Sequence, residues 1–210
     1  KHYAVHSGPE PERHTFDAVA GERDFRETYL PHFEVGIREA GAWSLMCAYN
    51  RVYGDPACSS DLLLDDILRG EWGFDGYVVS DCGAIRDIFQ NHQVVETPAA
   101  ASAEAVKAGT ELNCGNVYDP ALLDAVERGL ITEAAIDTAL TRLFTARFRL
   151  GMFDPPERVA YAQIPYDVLD QPAHRRLAED VTRASMVLLK NDGVLPLSKE
   201  LDTLAVIGPN

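Results

Sequence analysis

Apolar positions along the chain alternate between helical spacing and short continuous runs. From Asp24 to Ala40, Phe25, Tyr29, Phe33, Ile37 and Ala40 recur three or four apart, which predicts an amphipathic helix stopped by Gly41. Trp43–Ala48 then reads as a short strand ending at Tyr49-Asn50. After a turn-rich loop, Ser60 opens a second helix with Leu63, Leu64, Ile67 and Leu68 on one face and Gly70 as its stop. The run Tyr77–Val79 predicts a strand buried on both faces, cut off by Ser80-Asp81-Cys82-Gly83. Arg86–Glu96 is polar and reads as a long loop. Thr97-Pro98 supplies an N-cap and a proline at the first helical position, opening an Ala-rich helix that ends at Gly109. Thr110–Asn113 predicts another short strand, and Asp119-Pro120 starts a helix ending at Gly129. A longer helix from Thr132 to Gly151 should turn Ile136, Leu140, Leu143 and Phe144 inward.

Strand and helix alternating at this spacing point to an α/β fold with a parallel sheet. Half of an eight-stranded barrel and a doubly wound sheet fit the pattern equally well. Residues 154–171 change character, with Asp154-Pro155-Pro156 and Pro165 and few apolar positions, and read as an interdomain linker. Beyond it come a helix (Ala173–Ser185), the apolar run Met186–Leu189, a turn at Asn191-Asp192-Gly193 and a last strand, Leu204–Ile207. The expected division is 1–153, a linker at 154–171, and the start of a second domain at 172–210. An opening at Lys1-His2-Tyr3 without Met and a closing Leu204–Asn210 run are read as an internal piece of a longer protein, which would expose unpaired strand edges.

A net charge of −14 and a pI near 4.7 argue against nucleic acid or an anionic membrane as partner and suit a neutral substrate. No apolar run reaches the length of a membrane span, and no signal peptide opens the chain. Cys47, Cys58, Cys82 and Cys114 lack the spacing of a zinc site. They read either as reduced thiols in a cytosolic enzyme or as the pairs Cys47–Cys58 and Cys82–Cys114 in a secreted or periplasmic one, with the balance toward disulfides.

Asp81 has two readings. It caps the helix that follows, or it stands at the C-terminal mouth of a parallel sheet, where chemistry is usually placed. Lys1-His2, Met46-Cys47-Ala48-Tyr49 and Asp81 lie at predicted strand ends that a barrel would point into one mouth. Lys and His could donate to hydroxyls, and a Tyr hydroxyl could orient a carboxylate; equally, Lys1-His2 could be a solvated end and Tyr49 a core ring with a wet tip. No phosphate-binding glycine loop, GxSxG elbow or metal-ligand spacing is present, so no cofactor or metal is expected.

Several stretches together resemble glycoside hydrolase family 3. They are Lys1-His2-Tyr3, Glu22–Pro31, Met46–Arg51, Ile67–Gly76, Val79-Ser80-Asp81, Ala108–Cys114 and Ala184–Leu197, in that order along the chain. The resemblance implies the C-terminal part of a TIM-like (β/α)8 barrel followed by the first elements of an α/β sandwich domain. It implies that Asp81 is the catalytic nucleophile of a retaining exo-glycosidase. It further implies that Lys1, His2 and Arg13 bind hydroxyls of the −1 sugar, with Tyr49 beside the nucleophile and Met46 lining the pocket. The acid/base Glu is expected from the sandwich domain, beyond Asn210, with Glu96 and Glu111 as the in-chain substitutes. Many β-glucosidases of the family carry Trp directly after the nucleophile; Cys82 stands there and looks more like the β-xylosidase branch. The expected substrates are therefore β-linked xylo-oligosaccharides, with α-L-arabinofuranosides alongside. The alternatives are a β-glucosidase and a noncatalytic sugar-binding relative.

Overall fold

A computed structural model describes residues 1–6 and 8–208. The chain divides into two compact units, Lys1–Pro155 and Pro156–Asn210.

In the first unit the main sheet is parallel, and a small second sheet sets Arg51–Val52 parallel to Asp17–Ala18 and antiparallel to Asp55–Pro56. Strand β1 (Ser44–Cys47) pairs with β2 (Tyr77–Ser80), Met46 opposite Val79 and Cys47 opposite Ser80. Single parallel bridges extend the layer on both sides, Tyr3 against Cys47 and Val79 against Leu112. Gly76 admits β2 to this position: a Cβ there would lie 2.1 Å from the Trp43 carbonyl oxygen. Four consecutive segments thus lie side by side in chain order, as right-handed strand–helix–strand connections place them.

Leu45, Cys47, Val78 and Ser80 are buried on one face of the sheet, while Met46 and Val79 on the other are half-buried. The buried face is covered by helices, and β2 is therefore not enclosed on both sides as its composition predicts. Helix α1 (Pro31–Arg38) follows a helical turn at Phe25–Tyr29 and packs Phe33 and Ile37 on the core. It stops two residues short of Ala40. Helix α2 (Leu62–Glu71) carries Leu63, Leu64, Ile67 and Leu68, all fully buried. The Ser60 hydroxyl accepts from Leu63 N–H at its start, but Gly70 lies inside the helix and Gly73, at φ +69°, makes the exit. The wide turn there closes with Trp72 N–H donating to Ile67 C=O at 3.0 Å.

Arg86–Glu96 is not a long loop. Ala84–Gln90 forms helix α3, burying Ala84, Ile85 and Ile88 at three- and four-residue spacing. Helix α4 (Pro98–Ala108) is capped by Thr97, whose hydroxyl accepts from Ala100 N–H at 3.2 Å. Helices α5 (Tyr118–Glu127) and α6 (Glu133–Arg149) follow, α6 capped by Thr132. On α6 the buried face is Ala139 and Ala146; Leu140 and Phe144 do not face inward but are 45% and 36% exposed, and Phe144 stacks on Phe153.

The Thr110–Asn113 strand reduces to the bridge at Leu112. Glu111 and Leu112 N–H both donate to Val78 C=O, at 3.0 and 3.1 Å, which is a bulge that turns Glu111 out of the sheet.

The second unit holds helix α7 (Pro172–Ser185) and a turn in which the Asn191 Oδ1 accepts from Gly193 and Leu195 N–H. Met186–Leu189 and Leu204–Ile207 form no strand among the described residues. Apolar β-branched composition makes a strand only when a partner takes up its backbone hydrogen bonds.

Candidate active site

Asp81 follows β2 directly and, by the alternation of the strand, continues the Met46–Val79 side. It is 8% exposed. Its carboxylate Oδ1 accepts from Cys82 N–H at 2.7 Å, and its Oδ2 lies 3.3 Å from His2 Nε2. It does not cap α3: the residue before that helix is Gly83, at φ +89°, and no side chain bonds its first turn. The left-handed turn at Gly83 starts α3 and leaves the Asp81 carboxylate to its own contacts.

His2 stands at the end of the first parallel segment. Burial lowers its pKa below the usual 6.5, against the raising effect of the Asp81 charge, so the imidazole tends to be neutral at neutral pH. Its ring also lies 4.8 Å, centroid to centroid, from that of His6, which contacts Asn50 Oδ1 through Nδ1.

Tyr49 follows β1. Its hydroxyl donates to the Cys82 carbonyl oxygen at 2.9 Å, next to the Asp81 carboxylate. Burial first, and then the neighbouring Asp81 charge, push the phenol pKa up, so it remains an O–H donor through neutral pH. Arg13 reaches Tyr49 from the loop before the small Asp17–Ala18 strand, its guanidinium 5.6 Å from the ring centroid, while it pairs with Glu10 at 2.9 Å. Met46 is half-buried on the same sheet side. Lys1 is exposed and lines a cavity of about 190 Å³ with His2, His6 and His32.

Both cysteine pairs are disulfides. Cys47–Cys58 closes the turn after β1, and Cys82–Cys114 ties the residue after Asp81 to the one following Asn113. The backbone reinforces that tie, Gly83 N–H donating to Cys114 C=O at 2.8 Å.

Glu111 lies elsewhere. Its side chain is 1% exposed and accepts from Arg69 at 2.8 Å, Arg142 at 2.9 Å and Val78 N–H at 2.7 Å. Its carboxylate is committed to the helix layer and has no reach toward the mouth. Glu96 is exposed ahead of α4.

Other polar groups around Tyr49 were not legible in the sequence. His92 Nε2 donates to Tyr49 C=O at 2.7 Å, and His14 packs its ring 4.4 Å from the phenol. The signal for α3, which aligns His92, was present in Ile85, Ile88 and Phe89. The pairing of His14 with Tyr49 had none.

Parallel strands with helices on one face, and a His-contacted carboxylate at a strand's C-terminal end, define an α/β protein with a candidate site at the mouth of its sheet. Residues 1–146 match the description "Glycosyl hydrolase family 3 N terminal domain", and the chain belongs to that family. It is 44% identical over 213 residues to a xylan 1,4-β-xylosidase of Xylanibacter ruminicola, covering 100% of this chain and 25% of that protein. It is 43% identical over 200 residues to a probable β-D-xylosidase of Arabidopsis thaliana, covering 94% and 25%. Among solved structures, an exo-β-xylosidase of the family bound to a xylobiose aziridine activity-based probe superposes with a TM-score of 0.86 at 35% identity, covering 95% of this chain and 26% of that one. A β-glucosidase from Listeria innocua in complex with glucose gives 0.82 at 32%, covering 95% and 27%. The chain spans about a quarter of the length of these relatives.

Proposed function

We propose that this chain carries the nucleophile half of a retaining exo-β-xylosidase. Asp81 Oδ attacks the anomeric carbon of a terminal β-xylosyl unit as the bond to the leaving oxygen breaks. An acid/base Glu of the sandwich domain protonates that oxygen and then activates water to hydrolyse the glycosyl ester. The carboxyl pair of such a mechanism stands about 5–5.5 Å apart. The four parallel segments are read as consecutive strands of a TIM-like barrel, residues 154–171 as the linker, and 172–210 as the start of the sandwich. Lys1, His2 and Arg13 are assigned to sugar hydroxyls, Tyr49 to the surroundings of the nucleophile and Met46 to the pocket wall.

The observation that carries the reading is the buried Asp81 carboxylate beside His2 at a strand end, in a chain with 44% identity to a xylan 1,4-β-xylosidase. Cys82 in place of the Trp common in β-glucosidases favours the pentoside, and the likeness to β-glucosidase structures keeps a glucoside as the second reading. The two disulfides support a secreted or periplasmic location.

The test is kcat/KM of the full-length protein for aryl β-D-xyloside, aryl β-D-glucoside and aryl α-L-arabinofuranoside, with Asp81→Ala as the blank. Xyloside or arabinofuranoside ahead, with the blank inactive, supports the assignment. Glucoside ahead keeps the nucleophile and overturns the substrate. No turnover on any of the three turns the reading to a sugar-binding relative.

A further inference from the structure

Between Val5 and Ala18 no described residue is buried, although this stretch carries Arg13. A loop without an apolar anchor must be ordered by something else, because fixing each backbone residue costs about 1–2 kcal/mol. Phe16 packs partly on the core at its end, and Thr15 and Phe16 N–H both donate to Glu12 C=O, at 2.8 and 2.7 Å. These bonds shape the loop locally, and Arg51 ties its end to the small sheet, its backbone N–H donating to Phe16 C=O at 2.9 Å and its guanidinium to Thr15 C=O at 3.3 Å; they hold backbone, not the His14 and Arg13 side chains.

The hold on the His14 side chain comes from α3. Asp87 is almost completely buried, and its Oδ2 lies 2.6 Å from His14 Nδ1 while its Oδ1 accepts from Asn91 Nδ2 at 2.6 Å. A buried carboxylate requires such partners, and removing one is costly. His14 in turn packs on the Tyr49 ring, and Arg13 sits over the same ring. The Tyr49 hydroxyl ends on Cys82 C=O, next to Asp81. The contacts form a closed circuit from the residue after Asp81, through α3 and the loop, back to Tyr49.

We propose that Asp87 and His14 are positioning residues, a tether from the helix behind Asp81 that presets Arg13 and Tyr49 around the sugar. This rests on the reading of Asp81 as nucleophile and Arg13 as a sugar ligand. The tether acts through Arg13 and Tyr49, so its loss weakens the hold on substrate more than the chemistry.

The experiment compares His14→Ala, His14→Asn and His14→Gln in the full-length protein. The Asn amide nitrogen stands where His Nδ1 stands and keeps the bond to Asp87; the Gln amide lies one methylene too far out. Steady-state kinetics on aryl β-D-xyloside are read beside hydrogen exchange of the Thr15 and Phe16 amides, with the Val78 amide as the control for folding. His14→Ala and His14→Gln should raise KM about tenfold with a smaller change in kcat, and speed the loop amides about tenfold, while His14→Asn stays within about threefold of the parent in both. Unchanged loop exchange, unchanged KM despite faster exchange, or His14→Asn no better than His14→Ala would each overturn the tether. A parent without turnover on any glycoside sinks the catalytic reading instead. The exchange arm then still judges the tether, which parent-like loop amides in His14→Ala would refute.

Discussion

His2 Nε2 lies 3.3 Å from Asp81 Oδ2, bridging the first and third of the parallel segments across the end of β1, between residues seventy-nine positions apart in the chain. A largely neutral imidazole beside a carboxylate can orient that carboxylate without quenching its charge. Together with the bond from Cys82 N–H, the contact leaves Asp81 poised rather than engaged in capping a helix.

Asp81→Asn should lower kcat/KM by at least about a thousandfold, since a nucleophile supplies most of such a reaction. Tyr49→Phe, which removes the bond to Cys82 C=O beside Asp81, should cost about tenfold. Kinetics of both variants on the best of the three aryl glycosides decide it; a Tyr49→Phe loss as large as that of Asp81→Asn would give the phenol a direct part in the chemistry.

Glu111→Gln should unfold the protein more readily while leaving the chemistry alone. Two guanidinium groups and the Val78 N–H converge on that carboxylate, and losing its charge strands buried Arg69. The expected destabilisation is about 3–5 kcal/mol, read by denaturant melts. Loss of turnover in properly folded Glu111→Gln would instead place it in the active site.

Reduction should weaken the fold through both disulfides. Closing separations of 11 and 32 residues removes chain entropy worth about 3 and about 4 kcal/mol respectively. Mass spectrometry of an unreduced digest should recover the peptides joined as Cys47–Cys58 and Cys82–Cys114, and a melting temperature indifferent to reductant would contradict the estimate.

His92 should make stability fall with acid. Burial lowers its pKa below 6.5, opposed by its bond to Tyr49 C=O and by Asp87, with Arg51 and Asp17 also near. Because the folded value lies below the unfolded one, the unfolded chain takes up the proton first as pH drops below 6.5. The stability is therefore full above that value and is lost as pH falls through the folded pKa. His92→Gln keeps a donor for Tyr49 C=O and does not titrate, so its melting temperature should decline less steeply on acidification. Parallel curves for the two proteins would remove His92 as the cause.

The legible parts were those set by local rules. Thr97-Pro98 and Thr132 announced their helices through capping, and Leu63, Leu64, Ile67 and Leu68 marked the buried face of α2 through spacing alone. Leu140 and Phe144 misled, because periodicity identifies an apolar stripe without saying which of two adjacent stripes meets a neighbour. Arg86–Glu96 misled because its charged residues masked Ile85, Ile88 and Phe89.

By itself the sequence determined the alternation of strand and helix and Asp81 at a strand's end, since each depends on residues close together or on the simple period of an element, while the disulfides toward which it leaned were settled by the fold. Only the tertiary structure decided that Glu111 serves Arg69 and Arg142 in the helix layer, that the Tyr49 hydroxyl meets Cys82 C=O, and that His14 reaches Asp87. Those contacts join residues thirty-one to seventy-three positions apart. Their partners are selected by how the sheet and helices bring the chain together, and a bulge of one residue at Glu111 is enough to redirect a carboxylate from one layer to another.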